Sequence, residues 1–231
     1  PVRFSRDGER LLGLVSDTAR AVGTITTYGA DFEANYATTL ASNPLSLRAL
    51  VTWQPHLNNY APATPRALAD RLGGLQIDNV WHSPLERAWD TVRVMKERLP
   101  ALEAEPSALL MDCVPTGLLP EMPNNYEPFL KSFTDVDFEA GAAQMSDAVT
   151  EFLTVSRRGQ TDLLVTHNAV IAWLVREVLE APDWKWVTLN QANCGITVLQ
   201  HKPGRSWNLV AHNDLGHLPI ELRTGLIDPY A

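Results

Sequence analysis

The stretch Asp162-Leu-Leu-Val-Thr-His-Asn-Ala-Val-Ile171 passes from an apolar run straight into a helical pattern that continues to Leu179. The run Asp162 to Thr166 suits a central strand buried on both faces, and the helix from Ala169 opens directly after His167 and Asn168. A parallel strand whose end carries polar side chains into a helix start lies on the rim where open α/β sheets bind ligands. A second junction of the same kind is Trp81-His-Ser-Pro-Leu-Glu-Arg-Ala-Trp-Asp-Thr91, between a strand over Asn79–Trp81 and a helix over Leu85–Leu99.

Outward from these junctions, short apolar runs alternate with helices from Leu47 onward, the habit of a parallel sheet covered on both faces. Ala49 to Trp53 reads as the first buried strand and Pro65 to Leu72 as a helix ending at Gly73-Gly74. Leu109 to Met111 is a further strand, Pro115 to Pro128 an ordered surface loop, and Phe138 to Ser156 an amphipathic helix. Gly195–Leu199 and Trp207–Ala211 pair as a closing antiparallel hairpin across Pro203-Gly204. Before Leu47, Val2 to Val15 reads as a hairpin turning at Asp7-Gly8, and Ala30 to Leu40 as a helix with Phe32, Tyr36 and Leu40 on one face. The fold class is therefore α/β, a three-layer sandwich around a mostly parallel sheet over residues 47–231. Residues 1–46 form an N-terminal extension, hairpin and helix, packed on it.

Composition narrows the function. The chain has 231 residues, 45% of them hydrophobic, and a net charge of −8, with its Lys and Arg scattered, so neither whole-chain disorder nor nucleic-acid binding is expected. The longest apolar stretch, Leu163 to Val175, is interrupted by Thr166, His167 and Asn168 and falls short of the ~20 residues a membrane helix needs. Cys113 and Cys194 have no C-x-x-C or zinc spacing and no signal peptide precedes them, which fits a reducing cytoplasm with no metal and no cofactor.

Together with Asn213-Asp-Leu-Gly-His-Leu-Pro219, the two junctions resemble the histidine phosphatase superfamily, with its phosphoglycerate mutase-like fold. The branch that includes the mitochondrial Ser/Thr phosphatase is the nearest flavour, because His82 precedes Ser83 and Leu118-Leu-Pro-Glu121 leads into a Pro-rich loop. In that family a histidine attacks phosphorus, two arginines and a second histidine neutralise the oxygens, and a carboxylic acid protonates the leaving group. The resemblance implies that Arg87 is the second pocket arginine, His167 the second histidine and Glu121 the general acid. His82 and Asn168 would border the anion, with the helix N-terminus aimed at it. Each has a plainer reading: Arg87 pairs with Glu86 or Asp90 on a helix surface, His82 is a satisfied structural histidine, and Glu121 is a solvated loop carboxylate. His201 and His212 are expected on the surface, and His217 at the pocket border or fixing the tail.

The departure is at the first strand. Where the family writes Arg-His-Gly, Leu50-Val-Thr-Trp-Gln-Pro-His56 puts Thr52 at the arginine and Trp53 at the nucleophile, leaving an apolar pocket wall. An indole nitrogen is a donor without a nucleophilic lone pair. His56, three residues on, is a substitute catalytic histidine; Arg6-Asp-Gly-Glu9 is set aside as part of the exposed hairpin. The expectation is an enzyme on a small phosphorylated or sulfated metabolite that releases the anion by elimination or intramolecular displacement. The alternatives are a phosphomonoester phosphatase or mutase with an unrecognised nucleophile, and a non-catalytic pseudophosphatase subunit whose N-terminal extension mediates homo- or hetero-oligomer formation.

Overall fold

Leu12 and Leu14 are fully buried in one core cluster and Val15 in a second, because strand β1 (Arg10–Ser16) runs through the middle of a sheet with a core on each face. This computed structural model describes residues 10–16, 26–40, 43–58, 63–154 and 159–225, with side chains described for 12–16, 63–154 and 159–225.

After β1 come β2 (Thr26–Leu40), β3 (Asn43–Asn58), helix α1 (Ala63–Leu72), β4 (Asn79–His82) and α2 (Glu86–Arg98). Then follow β5 (Glu105–Pro106), α3 (Glu127–Leu130), α4 (Asp135–Phe152), β6 (Thr161–Thr166), α5 (Asn168–Val178), β7 (Ile196–His201) and β8 (Trp207–Asp214). The six-stranded sheet has the order β5-β4-β6-β1-β7-β8. Its first four strands are parallel; β7 and β8 close it antiparallel, as the hairpin at the C-terminal end of the sequence predicts.

Three layers result. Leu68, Leu72, Ala88, Val92 and Met95 of α1 and α2 pack with Val15, Val80, Leu163 and Val165 on one face. Met145, Ala148 and Phe152 of α4 and Val170, Ile171 and Leu174 of α5 pack with Leu12, Leu14, Leu164 and Leu199 on the other. A capping box opens α4: the Thr134 hydroxyl accepts from the Asp137 N–H while the Asp137 carboxylate accepts from the Thr134 N–H.

Contacts divide the chain into two compact units, Ala21–Ala61 and the remainder. Within the first, β2 and β3 form a two-stranded antiparallel sheet, and β3 crosses residue 46 without a break. Ala30 to Leu40 is thus strand and not the helix that Phe32, Tyr36 and Leu40 suggest. A four-residue spacing is also a multiple of two, and Asp31, Glu33 and Asn35 alternate with Phe32, Ala34 and Tyr36. The register pairs Phe32 with Val51, Ala34 with Ala49 and Tyr36 with Leu47, so apolar positions of both strands share a face. Ala49–Trp53 is likewise strand, but in this hairpin and not in the six-stranded sheet. The expected hairpin over residues 2–15 gives way over its second half to β1; residues 1–9 lie outside those described. Leu109–Met111 is no strand either: Ala108–Leu110 is a 3-10 turn, and the edge strand is the short β5 before it.

A β-carbon on Gly141 of α4 would run into the carbonyl of Val114. Helix propensity alone favours Gly141→Ala by about 1 kcal/mol, whereas forcing extra volume into a packed contact costs about 1–3 kcal/mol. Gly141→Ala should therefore lower the urea midpoint, and a raised midpoint would show that α4 is not seated on Val114.

Candidate active site

Register fixes the starting point. His82 of β4 lies opposite Val165 of β6, and the Ser83 N–H donates to the Val165 carbonyl at 2.9 Å, so the two junctions leave the sheet side by side. Ser83 and His167 are both fully buried, and His167 Nε2 lies 2.7 Å from Ser83 Oγ. Four residues past Ser83, on the first turn of α2, Arg87 Nη2 reaches His167 Nδ1 at 3.0 Å. The Arg87 side chain is 36% exposed, so its charge stands at the rim while its tip touches a buried ring.

His167 is also the N-cap of α5, with no side-chain cap on the first-turn N–H groups. Those donors and the positive end of the helix dipole sit beside the Arg87–His167 pair. Asn168 is the first helical residue, and its Oδ1 accepts from the Gln191 N–H at 2.7 Å. Its carbonyl end therefore ties the loop before β7 to α5.

A carboxylate that the sequence reading missed completes the cluster. Asp112 Oδ2 accepts from Arg87 Nη2 at 2.8 Å. It is held there from both sides: the Thr166 hydroxyl donates to the Leu110 carbonyl at 2.8 Å, and Gln144 Nε2 of α4 donates to the Leu109 and Met111 carbonyls at 3.2 and 2.7 Å. Leu109-Leu-Met-Asp112 has the same Leu-Leu-x-acid spacing as Leu118-Leu-Pro-Glu121, and that was the available signal. Glu121 itself is exposed on a turn. The adjacent Cys113 thiol is pushed up to about 12, chiefly by burial and secondarily by Asp112, so it stays protonated.

Of the other expected residues, His82 is buried, its Nδ1 2.7 Å from the Ser83 carbonyl and its ring 5.1 Å from Trp89, which is itself exposed on α2. This is a packing environment. The side chains of Trp53 and His56 lie outside those described; in the backbone, Trp53 pairs with Ala30 and His56 with Tyr28. His201, expected on the surface, is buried against Trp207. Among the described residues no group of three or more His, Cys, Asp or Glu could hold a metal ion, and no helix is long and apolar enough to cross a membrane.

Residues 54–215 match the family model described as the histidine phosphatase superfamily, branch 1. The chain belongs to that superfamily. Among solved structures it resembles alpha-ribazole phosphatase from Shigella flexneri, at 16% identity and TM-score 0.56, covering 88% of this chain and 96% of that one. Phosphoglycerate mutase from Plasmodium falciparum follows at 16% identity and TM-score 0.52, covering 93% and 96%. Mycobacterial glucosyl-3-phosphoglycerate phosphatase stands at 17% identity and TM-score 0.50, covering 89% and 98%. These likenesses establish the phosphoglycerate mutase-like fold. No curated protein matches the chain in sequence.

The nucleophile strand of the family is central and buried; here the central strand beside β6 is β1, with Ser16 opposite Thr166. Thr52 and Trp53, in the β2–β3 hairpin, are therefore not the counterparts of Arg-His, and Trp53 as a wall at the nucleophile position is withdrawn. β1 ends at Ser16; Asp17 and Thr18, next in sequence, lie outside the described residues, and no histidine precedes His56 in the sequence.

Two histidines, His212 on β8 and His217 three residues past its end, are pushed toward the neutral form. Burial pushes the His217 imidazole below its usual range against the opposing pull of Asp214 and the Cys194 backbone, and burial alone does the same for His212. A histidine pKa depressed in the folded state stabilises above the unfolded value of 6.5, and that stability is lost as pH falls through the folded value. Urea midpoints should thus drop from pH 7.5 to pH 5.5, less steeply in His217→Phe; equal slopes in the two proteins would remove His217 from the account.

Proposed function

We propose that this chain is an enzyme that releases phosphate from a small phosphorylated metabolite without forming a phosphohistidine. The observation that carries the reading is the Arg87–His167 contact of 3.0 Å at the uncapped start of α5. A guanidinium fork and an imidazole stand in contact at a helix start, and this combination of groups suits a tetrahedral oxyanion.

Asp112 takes the proton-moving role in place of Glu121, since its carboxylate already lies against Arg87. The Arg87–Asp112 pair is about 36–44% exposed, and ion pairs that open to water contribute only about 0–1 kcal/mol. A phosphate, which offers Arg87 stronger charge-assisted bonds, displaces the carboxylate and leaves it beside the leaving group. There it accepts a proton from the substrate in an elimination, or from a substrate hydroxyl that attacks the carbon bearing the phosphate, so that the C–O bond breaks and phosphate leaves. Arg87 and His167 stabilise the charge that develops on the departing phosphate in either case. Structural neighbours named as phosphatases of alpha-ribazole and glucosyl-3-phosphoglycerate support a phosphorylated small molecule as substrate class.

Inorganic phosphate should bind the purified protein, and Arg87→Ala should weaken it about 10–100-fold, the range for losing a hydrogen bond to a charged group. Asp112→Asn should keep or tighten that affinity while abolishing turnover of the phosphate esters that the wild type consumes. Trapping of phosphohistidine at His56 or His167 would instead identify an ordinary covalent phosphatase. Phosphate binding with no ester turned over would identify a binding module.

A further inference from the structure

We infer that Asn213 is a positioning residue for the anion site, holding the loop that braces the start of α5; the inference rests on reading Arg87 and His167 as that site. Asn213 opens the Asn213-Asp-Leu-Gly-His-Leu-Pro219 motif, to which the proposed chemistry gives no task. On β8 it lies in a bulge: Ile196 pairs with Asp214 and Val198 with Ala211, so His212 and Asn213 together oppose Thr197. Its φ is 52°, a left-handed conformation that asparagine adopts more readily than most side chains. Bulges of this kind re-aim a side chain.

The re-aimed amide reaches a buried loop. Residues 191–195, just before β7, are buried throughout and belong to no strand or helix, so each N–H needs an acceptor inside the protein. The Gln191 N–H donates to Asn168 Oδ1 at 2.7 Å and the Ala192 N–H to Asn213 Oδ1 at 2.9 Å. Asn193 donates to the Thr224 carbonyl at 2.8 Å and Cys194 to the Ser16 carbonyl at 2.7 Å. Thr224 and Ser16 thus secure the second half of the loop, while two asparagine side chains secure the first. Asn213 holds that first half a second time: its N–H donates to Thr197 Oγ1 at 3.0 Å, and that hydroxyl donates to Gln191 Oε1 at 3.1 Å. The fit is close, because a β-carbon on Gly195 would strike Asn213 Oδ1.

The consequence falls on α5. With the amide removed, the enclosed Ala192 N–H loses its acceptor, and the loop must shift to find another. Gln191 directly precedes Ala192, so the shift draws its N–H away from Asn168, the first residue of α5 and the neighbour of His167. The imidazole and the first-turn N–H donors then lose the brace that fixes them relative to Arg87. Outer partners that orient functional groups typically contribute about 10–100-fold to affinity or activity.

The test uses full-length, nitrogen-15-labelled protein with inorganic phosphate as the probe. Asn213→Gly removes the amide while its backbone keeps a positive φ without strain. It should speed hydrogen exchange at the Ala192 N–H, displace the Asn168 and His167 resonances and weaken phosphate binding about 10-fold. Asn213→Asp, which keeps an oxygen at the same place, should return those resonances to their wild-type positions. Gly195→Ala, which evicts the amide from the other side of the contact, should reproduce the changes and is read by the same criteria if Asn213→Gly fails to fold. Unmoved Asn168 and His167 resonances overturn the inference, as does unchanged affinity where the wild type binds phosphate. Should the wild type bind no phosphate while Asn213→Gly still displaces the resonances, the anion reading falls and the hold of Asn213 on α5 stands.

Discussion

Parallel pairing of β4 with β6, with His82 opposite Val165, determines how close two separate stretches of chain can come. Neighbouring strands lie about 4.8 Å apart, and parallel strands deliver their C-terminal ends to the same rim. Ser83 and His167 are each one residue past a strand end, and Arg87 is one helical turn further on. Shifting either strand by one residue would turn the polar pair into opposite faces. The six-stranded sheet is thus the device that converts two sequence motifs, 80 residues apart at Arg87 and His167, into one cluster.

Legibility followed burial. Asp162–Thr166, Leu85–Leu99 and the closing hairpin were readable because each has a single periodicity, and the three-layer α/β architecture follows from their order. β1 was misread because Gly13 interrupts its apolar side chains, so Leu12, Leu14 and Val15 look like a short alternating hairpin arm when both faces are in fact covered. With β1 taken for a hairpin arm, the next apolar run, Ala49–Trp53, stands in the first strand's place. β2 shows the other ambiguity: a spacing of four apolar residues is common to helix and strand, and only the intervening Asp31, Glu33 and Asn35 distinguish them.

The site divides in the same way. Arg87 and His167 were legible because each sits directly after a strand inside a motif with several marked positions. Asp112 was not, because its place depends on bonds from distant residues: Thr166 on Leu110, and Gln144 on Leu109 and Met111. A loop carboxylate has no periodicity to announce which way it faces. Of two Leu-Leu-x-acid candidates, the sequence offers no physical ground for choosing the one that α4 happens to brace.

Burial also separates what is rigid in the cluster from what yields. Ser83 and His167 are fully enclosed, so the bond between them exchanges with no solvent. Arg87 and Asp112 stand more than a third exposed, where an ion pair contributes about 1 kcal/mol or less. On the proposed anion-site reading, an oxyanion competes with Asp112 for the part-exposed Arg87 beside an enclosed imidazole. Ser83 and His167 follow directly on β4 and β6, and Arg87 comes one turn later, so the proposed anion-holding pair is placed by the pairing of those two strands.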